Sequence, residues 1–263
     1  MSSNGTVTII GYHAIEEGPG PLCLPPAVFE RQVRTLHDDG CTALTVAEVA
    51  DHLRTGAPFP ERAIALTFDD GYASVHRHAL PLLSSLGYRA TIYPVTSQLG
   101  GHNRWDAPWR WVPRLAVVEP PQLQELAAAG WEVGGHTHTH PSLAGQPPDV
   151  VAAELAESTA ILEALCGTSV RTFAYPYGDH DRPSRQVAVA RHDACLGIGA
   201  RKVTVRSGLD QLDRVDAWYL RRRWQLRGLH GPAGDGYLFL RRVARVAGER
   251  LRAGHRLGVA AAG

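Results

Sequence analysis

The sequence predicts an α/β fold built on a parallel sheet. Two observations carry that expectation. Short apolar runs alternate with amphipathic segments along most of the chain, the pattern of repeated βαβ units. One of those runs, Ala63–Phe68, is apolar without alternation and stops at Asp69-Asp70-Gly71. An unbroken apolar run closed by a glycine turn reads as a strand buried on both faces. In such folds the chemistry gathers at the C-terminal ends of the strands.

The elements follow in order. Val7–Ile10 is a short strand that runs into Gly11-Tyr12-His13, and a Gly/Pro-rich loop follows it. Val28–Leu36 has helical spacing, Thr42–Leu44 is a strand, and Thr45 with Glu48 makes a capping box for a helix to Leu53. After the Asp-Asp strand, Ser74–Leu86 reads as a helix stopped by Gly87, and Ala90–Val95 as the next strand. Gly100–Pro113 is an irregular loop carrying Trp105, Trp109 and Trp111. A helix over Gln122–Ala129 leads to a strand at Trp131–Val133, and Gly134-Gly135 breaks it before His136-Thr137-His138-Thr139-His140. Asp149 caps a long helix to Leu165, and Val170–Tyr175 is a strand ending in Pro176-Tyr177-Gly178. A helix near Pro183–Arg191, a strand near Ala194–Ile198, a last strand over Trp218–Leu226 and a terminal helix over Tyr237–Leu251 complete the chain.

Composition bounds the function. The chain has 263 residues, 44% apolar and 20% charged, with a formal net charge of +1. That is ordinary for a globular protein and supplies no bulk field for nucleic acid or an anionic membrane. The exception is local: Arg221, Arg222 and Arg223, then Arg241, Arg242, Arg245, Arg250, Arg252 and Arg256, make the C-terminal end basic. Cys23, Cys41, Cys166 and Cys195 are widely spaced, which argues against a thiolate metal site and fits buried thiols in a reducing compartment. No stretch approaches the length of a membrane span, and the N-terminus lacks a basic start and an apolar core, so the expected location is cytoplasmic.

Two adjacent carboxylates at the end of a buried strand are costly, because each loses hydration and the two resist ionising together. A bound cation removes both costs, so one Asp could hold a metal while its neighbour takes a proton; a helix cap and backbone hydrogen bonds are the plainer reading. His136 and His140, four residues apart, can grip one metal, and His138 between them points elsewhere. A carboxylate plus two imidazoles leaves open positions for water and substrate. In Tyr175-Pro176-Tyr177-Gly178, the proline and glycine can leave the Tyr177 amide facing a cavity. His13 follows the first strand and is a candidate to face the same site. The Trp105–Trp111 loop could stack on a sugar or pack on itself.

Together these residues resemble the NodB-type polysaccharide deacetylases, the carbohydrate esterase family 4 domain. Thr67-Phe68-Asp69-Asp70-Gly71, His136-Thr137-His138-Thr139-His140-Pro141 and Phe173-Ala174-Tyr175-Pro176-Tyr177-Gly178 stand in the family's order. Tyr12-His13-Ala14-Ile15 is similar to the opening of the exopolysaccharide and poly-N-acetylglucosamine deacetylase branch. The resemblance covers roughly residues 7–225. It implies a distorted (β/α)7-type barrel with one divalent metal, zinc first, with cobalt or nickel as alternatives. It implies Asp70, His136 and His140 as ligands, Asp69 as general base and the Tyr177 N–H as oxyanion donor. His13, Trp105 and Tyr175 are the candidate substrate contacts. Many members carry Arg where Ala174 stands, an arginine that supports the base; Arg222 or Asp216 are the candidates to substitute for it. The late family histidine, a general acid, has its counterpart in His230 of Leu226-Arg227-Gly228-Leu229-His230.

The expected organisation is an N-terminal segment 1–60 packed on the barrel, a deacetylase barrel 61–230, and a basic C-terminal helix and tail 231–263. The expected function is metal-dependent removal of an N-acetyl group from an amino-sugar substrate, a small soluble glycoside or biosynthetic intermediate. A non-sugar amidase on the same scaffold and a catalytically degenerate sugar-binding protein are the alternatives.

Overall fold

The computed structural model describes residues 5–106 and 112–245. In chain order the elements are β1 (Thr6–Tyr12), α1 (Pro26–Asp38), β2 (Thr42–Leu44), α2 (Val46–Thr55), β3 (Ala63–Asp70), α3 (Leu80–Ser85) and β4 (Thr91–Pro94). Then come α4 (Pro120–Ala128), β5 (Glu132–Val133), α5 (Pro148–Cys166), β6 (Thr172–Ala174), α6 (Arg182–Val189) and β7 (Ala194–Leu196). The last are β8 (Val203–Thr204), β9 (Arg214–Asp216), α7 (Arg223–Arg227) and a terminal helix, α8, over residues 232–245. Trp109 and Trp111, and Arg250, Arg252 and Arg256 of the basic tail, lie outside the described residues.

The parallel ladder runs from β1 through β3 and β4 to β5. A parallel bridge between Gly135 and Phe173 carries it to β6, which pairs with β7. A second bridge, Leu196 to Leu212, leads to β9, and β9 pairs back on β1. The circuit closes as a distorted (β/α)7-type barrel of short strands. β2 lies beside the first half of β3, and β8 runs antiparallel to the start of β1.

Side-chain alternation divides the barrel. Ala63, Ala65, Ile9, Tyr93, Ala174, Leu196 and Leu212 form an inner cluster with Val46, Val49, Ala50 and Phe59 of the α2 region, which plugs the N-terminal end. Ile10, Tyr12, Ile64, Leu66, Phe68, Ile92 and Val133 face the other way, against the surrounding helices. The plug is anchored by polar groups: Thr91 Oγ1 accepts from the Val46 N–H and Glu132 Oε2 from the Ala47 N–H. The expected capping box at Thr45 and Glu48 is present.

Three expectations change. Residues 6–12 are a barrel strand, paired on both sides, so the N-terminal segment supplies part of the barrel wall. Trp218–Leu226 is not a strand: Ala217–Leu220 is a 3-10 turn capped by Asp216 and Arg223–Arg227 is helical. The closing strand is β9, three residues too short to show a period-2 pattern. Asp149 lies inside the first turn of α5, with Pro147 at the cap.

Candidate metal and catalytic site

Asp69 and Asp70 end β3, and both reach one cavity at the C-terminal mouth of the barrel, of about 500 Å³. Strict alternation would put Asp70 outside with Phe68. Asp70 instead takes a left-handed backbone, φ 67°, and Gly71 follows with φ 71°. A Cβ on Gly71 would stand 2.6 Å from the Pro94 Cβ, so glycine is the residue the turn accepts. The turn brings two neighbouring carboxylates to the same space in different roles.

His136 enters the mouth after β5, and the loop doubles back so that His140 meets it. Thr137 and His140 both have positive φ, and Thr137 Oγ1 accepts from the His140 N–H at 3.0 Å. Glu154 on α5 accepts from the His138 and Thr139 amides at 2.9 and 2.8 Å and holds the loop from outside. His138 is turned away, toward Thr96 Oγ1 at 3.0 Å.

The result is a buried triad. Asp70 Oδ1 lies 3.4 Å from His136 Nε2 and 3.2 Å from His140 Nε2, and the two Nε2 atoms are 3.2 Å apart. One ligand atom from each residue falls within 4.8 Å of the others, the spread expected around one ion. His136 Nδ1 donates to the Ala174 carbonyl at 2.7 Å, which leaves its Nε2 with a lone pair toward the centre. Burial pushes the His140 imidazole toward its neutral form, and its Nδ1 is buried without a partner among the described residues. Burial opposes ionisation of Asp70, but the His136 and His140 hydrogen bonds outweigh it and hold the carboxyl well below the usual range. An anionic oxygen and two imidazole nitrogens at these separations fit a divalent ion.

Asp69 is held differently. Arg214 Nη1 and Nη2 donate to its two oxygens at 2.6 and 2.7 Å, and Arg214 Nε donates to the Gly197 carbonyl at 3.2 Å. Both side chains are buried, 6% and 4% exposed for Asp69 and Arg214. Burial pushes Asp69 up, but the guanidinium charge and nearby His136 win and keep it ionised below the ordinary carboxylate range. An ionised carboxylate fixed by a bidentate fork beside a metal triad is arranged as a proton acceptor.

The match to known proteins agrees with this geometry. The sequence model described as polysaccharide deacetylase matches residues 56–191, just over half of the chain, which includes Asp69, Asp70, His136, His140 and Tyr177. The chain belongs to the polysaccharide deacetylase family. YxkH of Bacillus subtilis (strain 168), named for polysaccharide deacetylases, is 27% identical over 180 residues, 68% of this chain and 60% of its own length. A poly-beta-1,6-N-acetyl-D-glucosamine N-deacetylase of Staphylococcus aureus (strain MRSA252) is 26% identical over 159 residues, 57% of this chain and 52% of its own. The chain thus spans less than two thirds of the length of these curated relatives. Among solved structures, IcaB of Ammonifex degensii superposes with a TM-score of 0.71 at 22% identity, covering 85% of this chain and 97% of that one. The Streptococcus pyogenes deacetylase PplD in complex with acetate gives 0.70 at 23% identity, covering 80% and 92%. These structural likenesses are likenesses of fold.

The remaining candidates divide. His13, Trp105 and Tyr177 line the cavity. The Trp105 and Tyr177 rings flank His140, with centroids at 5.0 and 4.6 Å. Tyr177 has φ 59°, the unusual turn expected of Pro176-Tyr177-Gly178. Tyr175 does not reach the cavity: it is fully buried and its hydroxyl donates to the Asp210 carbonyl at 3.0 Å. His230 is also elsewhere, its Nε2 3.5 Å from Cys41 Sγ, because the chain after β9 turns into α7 rather than back over the mouth. Of the two candidates to support the base, Arg222 is exposed at the start of α7, and Asp216 lines the cavity but accepts from the Trp218 amide at 2.8 Å. Arg214 is the residue that pairs with Asp69, and the sequence alone did not point to it. Its one local signal was a charged residue beside Val215 and Asp216, which the misplaced last strand concealed. Asp106 is a second unforeseen cavity residue; burial pushes its carboxyl up, and Asn103 Nδ2 donates to it at 3.1 Å.

Proposed function

We propose that this chain is a metal-dependent N-deacetylase acting on an N-acetylated amino sugar. The observation that carries the reading is the pairing of two sites at one strand end: Asp70 with His136 and His140 on one side, Asp69 with Arg214 on the other. A divalent ion held by Asp70, His136 and His140 would supply Lewis-acid polarisation of the acyl carbonyl and acidify the attacking water. Asp69 takes the proton of that water, and Arg214 keeps the carboxylate ionised and aimed. The Tyr177 N–H is the proposed donor to the oxyanion that forms on the acyl oxygen. When the C–N bond breaks, the proton carried by Asp69 is available to the leaving amine, and acetate and free amine result. Trp105 offers an indole face to the sugar.

We also infer a small soluble glycoside in preference to polymer. The support is the cavity itself, which α8 walls on one side through Arg241, Ala244 and Arg245. The staphylococcal relative's name points instead to a polymeric substrate. A reducing, cytoplasmic setting belongs to the same proposal, supported by four free cysteines, three of them buried. The test is acetate release by metal-loaded protein from N-acetylhexosamine mono- and disaccharides, from a β-1,6-linked N-acetylglucosamine oligomer, and from ureides and cyclic imides. Release from the sugars supports the reading. Hydrolysis of the imides alone would show a non-sugar amidase, and no turnover of any of them a sugar-binding protein.

A further inference from the structure

We propose that Arg241, with Arg245 one turn further on, forms an anion subsite in the catalytic cavity, and that the substrate is an N-acetylated amino sugar bearing a phosphate group. The inference rests on reading the site as a deacetylase. Residues 241, 244 and 245 present one face of α8 to the cavity that holds Asp69 and Asp70. The Arg241 guanidinium lies over the Tyr219 ring, 3.4 Å from its centroid, and its Nε is buried with no hydrogen-bond partner among the described residues. A stacked guanidinium keeps its planar fork free to meet an oxyanion edge-on.

The acids of the cavity are committed within its wall. Asp69 is paired with Arg214, Asp70 belongs to the triad, Asp106 accepts from Asn103 and Asp216 from the Trp218 amide. Asp213, close by, is paired with Arg201 at 3.2 Å. A neutral sugar filling this space would strip water from Arg241 and return no partner, which is unfavourable for a charged group. A phosphate ester would give that guanidinium an anionic partner, and Arg245, one helical turn away, adds positive charge to the same wall.

The experiment compares N-acetylglucosamine with N-acetylglucosamine 1-phosphate on the zinc-loaded full chain. The expected result is a kcat/KM for the phosphorylated sugar at least about tenfold higher, the scale of one charge-assisted hydrogen bond. That preference should collapse toward unity in Arg241→Gln, chiefly through KM, and be largely kept in Arg241→Lys. Inorganic phosphate should inhibit the wild type competitively, and rising salt should erode the preference. The last two readouts need no variant and stand if Arg241→Gln fails to fold. Equal use of both sugars by the wild type, or a preference untouched in the Arg241→Gln, Arg245→Gln double variant, overturns the subsite while leaving the deacetylase reading intact. No acetate from either sugar overturns both.

Discussion

Arg214 and Asp69, separated by 145 residues in the chain, meet as a bidentate ion pair of 2.6 and 2.7 Å inside the barrel mouth. The pair links the last barrel strand to the acid that neighbours the metal triad. The guanidinium that meets Asp69 thus comes from β9, a different strand from the one that carries Ala174.

Arg214→Met should cut kcat by about 10²-fold or more, the scale of a misplaced general base. It should also cost stability, on the order of 3–5 kcal/mol for one partner of a buried pair, less whatever solvent enters. Without the guanidinium, burial dominates at Asp69, so the acid limb of the kcat/KM profile moves to higher pH. Arg214→Lys cannot restore the two-point contact. Steady-state kinetics across pH and thermal melts check this; an unmoved acid limb would count against the positioning role.

Asp69→Asn and His140→Ala should separate the two halves of the site. The first loses turnover by about 10²- to 10⁴-fold and keeps its metal. The second loses the metal as well. Elemental analysis beside acetate release distinguishes them, and full activity in Asp69→Asn would sink the base assignment.

Chelation should lower the melting temperature and abolish turnover, and zinc should restore both. The Asp70 carboxylate and the two imidazole nitrogens lie within 3.4 Å of one another, and an ion held among them would stabilise the folded chain by mass action. A melting curve indifferent to chelator would remove the metal from the argument.

Gly71→Ala should destabilise the fold and weaken the metal site together. The residue needs φ 71°, and its Cβ would stand 2.6 Å from that of Pro94. Strain of this kind costs about 1–3 kcal/mol. Relief would require β3 and β4 to part at the place where Asp70 turns inward. Melting temperature and metal affinity falling together is the expected signature.

His230 should make the fold sensitive to mild acid. Burial, with Arg62 and Lys202 adding to it, pushes its imidazole down from 6.5 to about 4. Between those values the unfolded chain binds a proton that the folded chain does not. This contribution to stability is whole above about pH 6.5, falls as pH drops toward 4, and levels off below that. Denaturant titrations of wild type and His230→Gln over this range should show a flatter dependence in the variant, and identical slopes would refute it.

Much of the site was legible along the chain. Asp70, His136 and His140 carry the donor chemistry of a metal site, and each follows a strand whose apolar run is plain. The alternation of strands and helices was equally local. The reading failed where the signal is short or distant. β9 is three residues long, and the stretch 218–226, a 3-10 turn followed by α7, has Trp218, Leu220, Trp224 and Leu226 spaced by even numbers like a strand. Tyr175 and Tyr177 are two residues apart, yet one is sealed in the core and the other is half exposed, a choice made by the left-handed turn between them and the site.

By itself the sequence determined the parallel α/β class, the order of the strands' apolar runs and the identity of the three side chains that could hold a metal, because each depends on local pattern and intrinsic donor chemistry. Only the tertiary structure decided that Asp70 turns to the same side as Asp69, that Arg214 rather than Arg222 meets the base, and that His230 stays outside the cavity. Those outcomes depend on where barrel closure places residues remote in the chain, and no short window of sequence encodes that geometry.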